Sequence, residues 1–211
     1  MRCLLPLVQA TPRGLWGRSG QPRLAPLDVW VGRPESDVPG PDQLIQRYLA
    51  AFGPASIRDA QAWCGLTRLS EIFERLRPEL VTFRDERGIE LFDLPDAPRP
   101  DPSTPAPARI LAQFDNVLLS HADRRRFISD EHRARMMTRN GIIPSMVLVG
   151  GRVAGAAKLT TGSRSVVLEV TPWRPHTASN RSAIEAEGIR LLKFAAPDAD
   201  DHDVRFVDDP A

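Results

Sequence analysis

The sequence predicts an α+β protein in two parts, and three observations predict it. Residues 41 to 76 carry three successive apolar repeats at helical spacing, each with its own start and stop signals. Two β-prone runs, around Val81 and Ile89, follow at once. After a proline-dense stretch, residues 145 to 171 hold three strand-like runs separated by two glycine-containing turns, the pattern of a three-stranded antiparallel meander.

Gly40 ahead of Pro41 and Asp42 starts the first helix, since proline suits the first helical position and an acid there complements the helix dipole. Leu44, Ile45, Tyr48, Leu49 and Phe52 form its apolar face, and Gly53-Pro54 ends it. Ser56 with Asp59 has the spacing of a capping box, opening a second helix with Ile57, Ala60 and Trp63 inward and Gly65 as its stop. Thr67 is expected to cap a third, with Leu69, Ile72, Phe73 and Leu76 inward and Pro78 preventing continuation. Leu80 to Phe83 and Ile89 to Phe92 read as strands around Asp85-Glu86-Arg87-Gly88.

Three helices and a terminal hairpin are the layout of a winged helix, assigned here to 38–94, a fold often used to hold DNA. Its third helix would expose Arg68, Ser70, Glu71, Glu74 and Arg75, in which two acids offset two bases. That is a poor footprint for a helix that tracks phosphates, so the unit is expected to be a scaffold. Arg84 and Arg87 on the wing are the better phosphate contacts.

At 211 residues the chain suits one large or two small domains. A net charge of +1 excludes a global field drawing it to nucleic acid, so any basic surface must be local. Of 28 basic residues only Lys158 and Lys193 are lysine; with 20 prolines this reads as genome composition and carries no weight for DNA binding. Cys3 and Cys64 are too few for a disulfide framework and lack metal spacing, which fits a reducing cytoplasm. No apolar run approaches a membrane span, and Met1 to Val8, broken by Pro6, is not a convincing signal peptide.

Residues 1–37 hold five arginines (Arg2, Arg13, Arg18, Arg23, Arg33) against Asp28, Glu35 and Asp37, and read as a basic arm that packs through Trp16 and Trp30. Gly17-Arg-Ser resembles the end of a phosphate loop, but the lysine and the spacing are wrong. Six prolines make 95–107 an extended linker. The winged helix before it is small enough that a lone core is marginal, so it is expected to dock on the second half. That half, 108–197, is expected to be a C-terminal α+β unit, with a second winged-helix variant as one form it could take. Within it, 121 to 139 hold six arginines against three acids. The meander of Ser145 to Val149, Arg152 to Leu159 and Arg164 to Thr171 turns at Gly150-Gly151 and Thr161-Gly162-Ser163. Ser179 or Asn180 would cap a last helix with Ile184, Leu191 and Leu192 inward. Beyond Pro197, 198–211 is an acidic tail of six aspartates, expected to be mobile.

Catalytic constellations are sparse. His121, His132, His176 and His202 lack zinc spacing, and no metal or cofactor is expected. Ser120-His121-Ala-Asp123 contains triad residue types, but sequence neighbours rarely face one another as a triad requires. Asp115-Asn116, at a strand-to-loop junction, is the remaining candidate, with a turn as its ordinary role.

Gln113-Phe-Asp-Asn-Val-Leu-Leu-Ser-His-Ala-Asp-Arg124, followed by Gly150-Gly-Arg-Val-Ala-Gly155, resembles the C-terminal region of the AlkZ-like winged-helix DNA glycosylases. Val8 to Gly20 resembles that family's segment before its second winged helix. The resemblance implies tandem winged helices around a basic channel, and release of alkylated bases or unhooking of crosslinks by hydrolysis of an N-glycosidic bond. An alkylated purine is a cationic leaving group, so a protein need mainly position water and stabilise a sugar cation. The family's catalytic motif is glutamine, any residue, then glutamine or aspartate, in an earlier winged helix. No such triplet occurs here: Gln43 and Gln46 are three apart, and Asp59-Ala-Gln61 runs in reverse. No family catalytic residue carries over, and the chain reads either as the C-terminal portion of a longer enzyme or as a relative without base-excision activity.

The expected partner is duplex DNA. Arg124, Arg126 and Arg152, with Arg84 and Arg87, are its expected phosphate contacts. Asp115, Asn116 and His121 are expected to line the channel, with Asp115 the sole catalytic candidate. The alternative is a non-catalytic winged-helix module for protein interaction or regulatory DNA binding.

Overall fold

The computed structural model describes residues 6–15, 18, 20–32, 40–136, 141–162 and 164–208. Arg2, Cys3, Trp16, Gly17, Ser19, Arg33, Glu35, Asp37 and Ser163, named above, lie outside them, as does Arg139, one of the six arginines of 121 to 139. The protein is a mixed α+β structure that divides into two compact units, residues 1–43 and 44–211.

The first unit has secondary structure where the sequence suggested an arm without elements. Strand β1 (Leu7–Ala10) pairs antiparallel with β2 (Arg23–Pro26), from Leu7 opposite Pro26 to Ala10 opposite Arg23. The Leu27 amide donates to the Pro6 carbonyl at 2.8 Å, leading into the short helix α1 (Leu27–Val31). Each strand is only four residues, too short for alternation to stand out among glycines and prolines.

Helix α2 (Pro41–Phe52) begins at its proline as expected, with Ile45, Tyr48 and Leu49 inward. Helix α3 (Ile57–Cys64) has the full capping box: the Ser56 hydroxyl accepts the Asp59 amide while the Asp59 carboxylate accepts the Ser56 amide. Gly65, at φ 72°, ends it in the left-handed conformation that favours glycine. Helix α4 (Ser70–Leu76) departs from expectation at its start. Its cap is Leu69, whose side chain is apolar and packs in the core, and Thr67 plays no capping part. Strands β3 (Val81–Arg84) and β4 (Glu90–Asp93) form the hairpin, one residue later on each side than the sequence indicated, with Arg84 opposite Glu90. Tyr48, Phe73, Leu76 and Phe92 close one core over this segment, and Phe73 and Phe92 sit 4.9 Å apart in a tilted ring pair. Ala55 and Phe92 exchange backbone hydrogen bonds at 3.0 and 2.8 Å, tying the hairpin to the α2–α3 connection.

The rest of the second unit centres on a five-stranded sheet in the order β5 (Arg109–Ile110), β6 (Ser145–Val149), β7 (Arg152–Thr161), β8 (Ser165–Pro172), β9 (Asp201–Phe206). The first three pairings are antiparallel and the last is parallel. Strand period decides which core each residue joins. Val147 faces helix α7 (Ala178–Ala195) with Val166, Leu168 and Val170, whereas Met146 and Leu148 face the opposite layer with Leu118, Ile128 and Met136. That opposite layer includes the short helices α5 (Asn116–Leu119) and α6 (Asp130–Arg133). Thr177, two or three positions before the residues suggested by the sequence, caps α7 by accepting the Asn180 amide.

The acidic segment beyond Pro197 is not a loose tail. Residues 201–206 form β9, running parallel to β8 from Ser165 opposite Asp201 to Val170 opposite Phe206. Val204 and Phe206 pack onto the α7 core, while the aspartates stay at least partly exposed. Overall composition hid this short alternation. Gly188 of α7 is what lets the helix lie so close: a Cβ there would sit 2.7 Å from Val204 Cγ2 and 3.1 Å from Leu168 Cδ2.

Candidate nucleic-acid interface

The helical segment and the sheet are joined through Ser120–Asp123, a segment the sequence marked only for its residue types. The Tyr48 hydroxyl donates to the Ser120 carbonyl at 2.8 Å. His121 Nε2 lies 3.0 Å from the Phe52 carbonyl, which can only accept, so Nε2 carries the proton. Its Nδ1 then accepts from the Ser120 hydroxyl at 2.8 Å. Burial holds the imidazole below its ordinary value of 6.5, helped by Arg126, and Asp59 opposes that shift. At 2% exposure His121 is a buried connector, and it borders the third hollow described below.

Asp59 completes the junction. It is 4% exposed, and its Oδ1 accepts the backbone amides of Ala122 and Asp123 at 2.9 and 3.1 Å. Its Oδ2 accepts from the Ser56 amide and hydroxyl. One carboxylate therefore caps α3 and holds the chain that leads into Arg124, Arg125 and Arg126. Sequence spacing revealed the first role, because it is local. The second joins residues more than sixty positions apart.

Two adjoining clefts, of about 590 and 480 Å³, open between α3, the β3–β4 hairpin and this segment. Two of the arginines that line them, Arg87 and Arg125, are matched by acids. Arg87 pairs with Asp123 and, at 3.5 Å, with Asp85. Arg125 reaches the same Asp123 at 2.6 Å. Hydrogen bonding from Arg125, with the nearby charges of Arg125 and Arg87, holds the Asp123 carboxyl well below the usual carboxylate range. Arg87, expected to be a phosphate contact, is therefore already neutralised.

A third hollow, of about 540 Å³, differs. Arg58, Arg124 and Arg133 line it beside Gln61 and Gly65, with no acid in its wall. None of the three pairs with a carboxylate among the described residues. Arg124 Nε donates to the His121 carbonyl at 3.3 Å, and partial burial, with Arg133 nearby, lowers its pKa. Of these cations only Arg124 was singled out from sequence. Arg58 stands on the exposed face of the second helix, next to the capping aspartate, and no local spacing distinguishes it from an ordinary solvated residue.

The other expected contacts are spread more widely. Arg126 donates to the Pro54 carbonyl at 3.1 Å, Arg152 to that of Arg125 at 3.0 Å, and Arg84 to that of Gly88 at 3.0 Å. Asp115 caps α5 by accepting the Val117 amide at 2.9 Å, which gives the carboxylate a structural task, and Asn116 is exposed as the first residue of that helix. Neither lines the clefts or hollow described above. Among the described residues, no group of three or more His, Cys, Asp or Glu could hold a metal ion, and no helix is long and apolar enough to cross a membrane.

Comparison with known proteins agrees with this architecture. The interstrand DNA cross-link repair glycosylase of Streptomyces sahachiroi is 29% identical over 173 residues, 78% of this chain and 45% of that protein. The solved structure of Streptomyces sahachiroi DNA glycosylase AlkZ has the same fold over 95% of this chain and 54% of its own, with a TM-score of 0.72 at 24% identity. The chain thus spans about half the length of these relatives. The family described as DNA glycosylase AlkZ-like matches residues 1–194, and the chain belongs to that family.

Proposed function

We propose that the chain is a duplex-DNA-binding member of this family, acting on alkylated or cross-linked DNA, with α2–α4 and the β3–β4 hairpin as a winged helix. The observation that carries the reading is the acid-free hollow of Arg58, Arg124 and Arg133. In a chain of net charge +1, cations left without carboxylates are available to exchange counterions for phosphates. Asp59 presets the backbone that bears Arg124, so less ordering is needed on binding. Arg126, Arg152 and Arg84 are secondary phosphate contacts: each spends one hydrogen bond on a carbonyl and pairs with no carboxylate among the described residues.

This part of the protein binds and orients the duplex. Hydrolysis of the glycosidic bond of a cationic alkylated base asks only for a placed water and a stabilised sugar cation. Asp115 is a helix cap in this reading and not the catalyst. Fluorescence anisotropy with duplex DNA across a salt series tests the binding. Affinity should fall steeply with salt; salt-insensitive binding, or none up to concentrations on the order of tens of micromolar, would sink the proposal.

A second reading is a non-catalytic module for protein interaction or regulatory DNA binding. It is favoured by the mixed charge of α4 and the neutralisation of Arg87 by Asp123. Abasic-site formation on N7-alkylguanine duplex separates the two. Release by the intact chain favours the glycosylase reading, and release lost in Asp115→Asn would return that residue to catalysis.

A further inference from the structure

Where β8 ends, α7 begins and β9 finishes, a separate cavity of about 490 Å³ gathers Arg135, Trp173, Arg174, His176, Arg181 and Phe206. The Arg181 guanidinium lies 4.0 Å from the centroid of the Phe206 ring, and that of Arg135 5.0 Å from the Trp173 ring. His132 packs 5.5 Å from the same indole. These stacks orient the cations and also occupy aromatic faces on which a base could have stacked. The hydrogen-bonding edge of the Arg181 guanidinium is left for a guest.

Arg174 and Arg181 pair with no carboxylate among the described residues, although Asp208 lines the cavity. The Nε2 atom of His176 is buried without a hydrogen-bond partner. The ring's bond to the Ala154 carbonyl leaves Nε2 as the lone-pair nitrogen of the neutral imidazole; it donates only when protonated, and an oxyanion seated beside it would favour that charged form. A neutral guest would gain little from three guanidiniums, whereas an oxyanion could satisfy several of their N–H groups at once.

We propose that this cavity is a phosphate site, separate from the Arg58–Arg124–Arg133 hollow, in which Arg174 and Arg181 hold the phosphate oxygens and Arg135 supplies a third positive charge. The phosphate belongs either to a nucleic-acid backbone or to a free phosphate ligand; the chemistry is the same. The backbone source rests on the DNA-binding reading above, and the free source does not. His176 reports occupancy. Burial holds its pKa down, with Arg174 and Arg181 pushing the same way, so an anion between the two arginines should raise it.

The experiment is an NMR titration of the His176 ring, assigned with His176→Gln, alone and with saturating inorganic phosphate or a short duplex. In the wild-type chain either probe should raise the His176 pKa by about half a pH unit or more. In Arg174→Gln/Arg181→Gln the response should disappear while the urea midpoint stays near wild type. Response to the duplex alone, or to phosphate alone, supports the site and names its source. Silence with both probes overturns the proposal, as does an equal response in the double variant. If the double variant does not fold, Arg174→Gln carries the test, since that exposed side chain makes no hydrogen bond or ion pair among the described residues. Duplex binding with ordinary salt dependence and a silent His176 removes this site and leaves the DNA reading standing. A phosphate response without duplex binding does the reverse.

Discussion

The Asp59 carboxylate accepts the backbone amide of Asp123 at 3.1 Å across 64 residues of sequence. With its bonds to Ala122 and Ser56, this makes one buried acid the joint between the helical segment and the sheet. Asp59→Ala leaves buried donors without an acceptor and should lower stability by about 3 kcal/mol, read from urea unfolding. Asp59→Asn, which presents an amide to one set of donors, should fall between. Both should weaken DNA binding beyond what the stability loss explains, measured where the variants remain folded.

Asp123 restrains the neighbouring arginines. Asp123→Asn removes the shared partner of Arg87 and Arg125, which leaves Arg125 unmatched and Arg87 with Asp85 alone. Duplex affinity should rise, and the plot of log K against log salt should steepen by about one to two. A weaker or unchanged affinity would mean that these clefts do not face DNA.

Arg124→Ala and Arg133→Ala should each weaken duplex binding irrespective of sequence and reduce the salt slope by about one. Arg87→Ala should change the slope less than either, because its charge is already matched. Anisotropy over a salt series measures all three.

His121 gives a pH dependence of defined sign. Its folded-state value lies below the ordinary 6.5, so as pH falls the unfolded chain takes up the proton first. The stability gained from the neutral ring is whole above about pH 6.5 and is lost as pH falls through the folded value. Urea midpoints at pH 7.5 and 5.5 should therefore differ in the wild type and differ less in His121→Gln. His176, also depressed, leaves a residual dependence of the same sign in the variant.

Gly188→Ala tests the closeness of α7 to the sheet. Its Cβ would press on Val204 and Leu168, and over-packing of this kind should cost about 1–3 kcal/mol by thermal or urea unfolding. No loss would mean that β9 has room to move away.

What could be read in the sequence was local. The start of α2, the Ser56–Asp59 box, the stop at Gly65 and the paired runs of the hairpin each depend on residues within a few positions. What could not be read was set by partners far along the chain. Arg87 looked like an open contact because Asp123 is 36 residues away, and Asp59 looked like a cap alone because its other partners lie beyond the proline-rich stretch. His121 seemed available because nothing in its own neighbourhood says that Phe52 covers it. The cavity at the start of α7 was not legible for the same reason: Arg135, Arg181 and Phe206 meet only after the sheet has formed.

Strand β9 also sets a temporal order on how the protein is made. It is synthesised after α7 and pairs with β8, more than thirty residues earlier, so the sheet edge next to β8 stays open until residue 206 has left the ribosome. Until then the apolar side of α7 around Gly188 lacks Val204, and the cavity of Arg181 and Phe206 has no floor. A nascent chain stalled shortly before residue 201 should therefore expose that helix to proteases and chaperones, and emergence of residues 201–206 should close it.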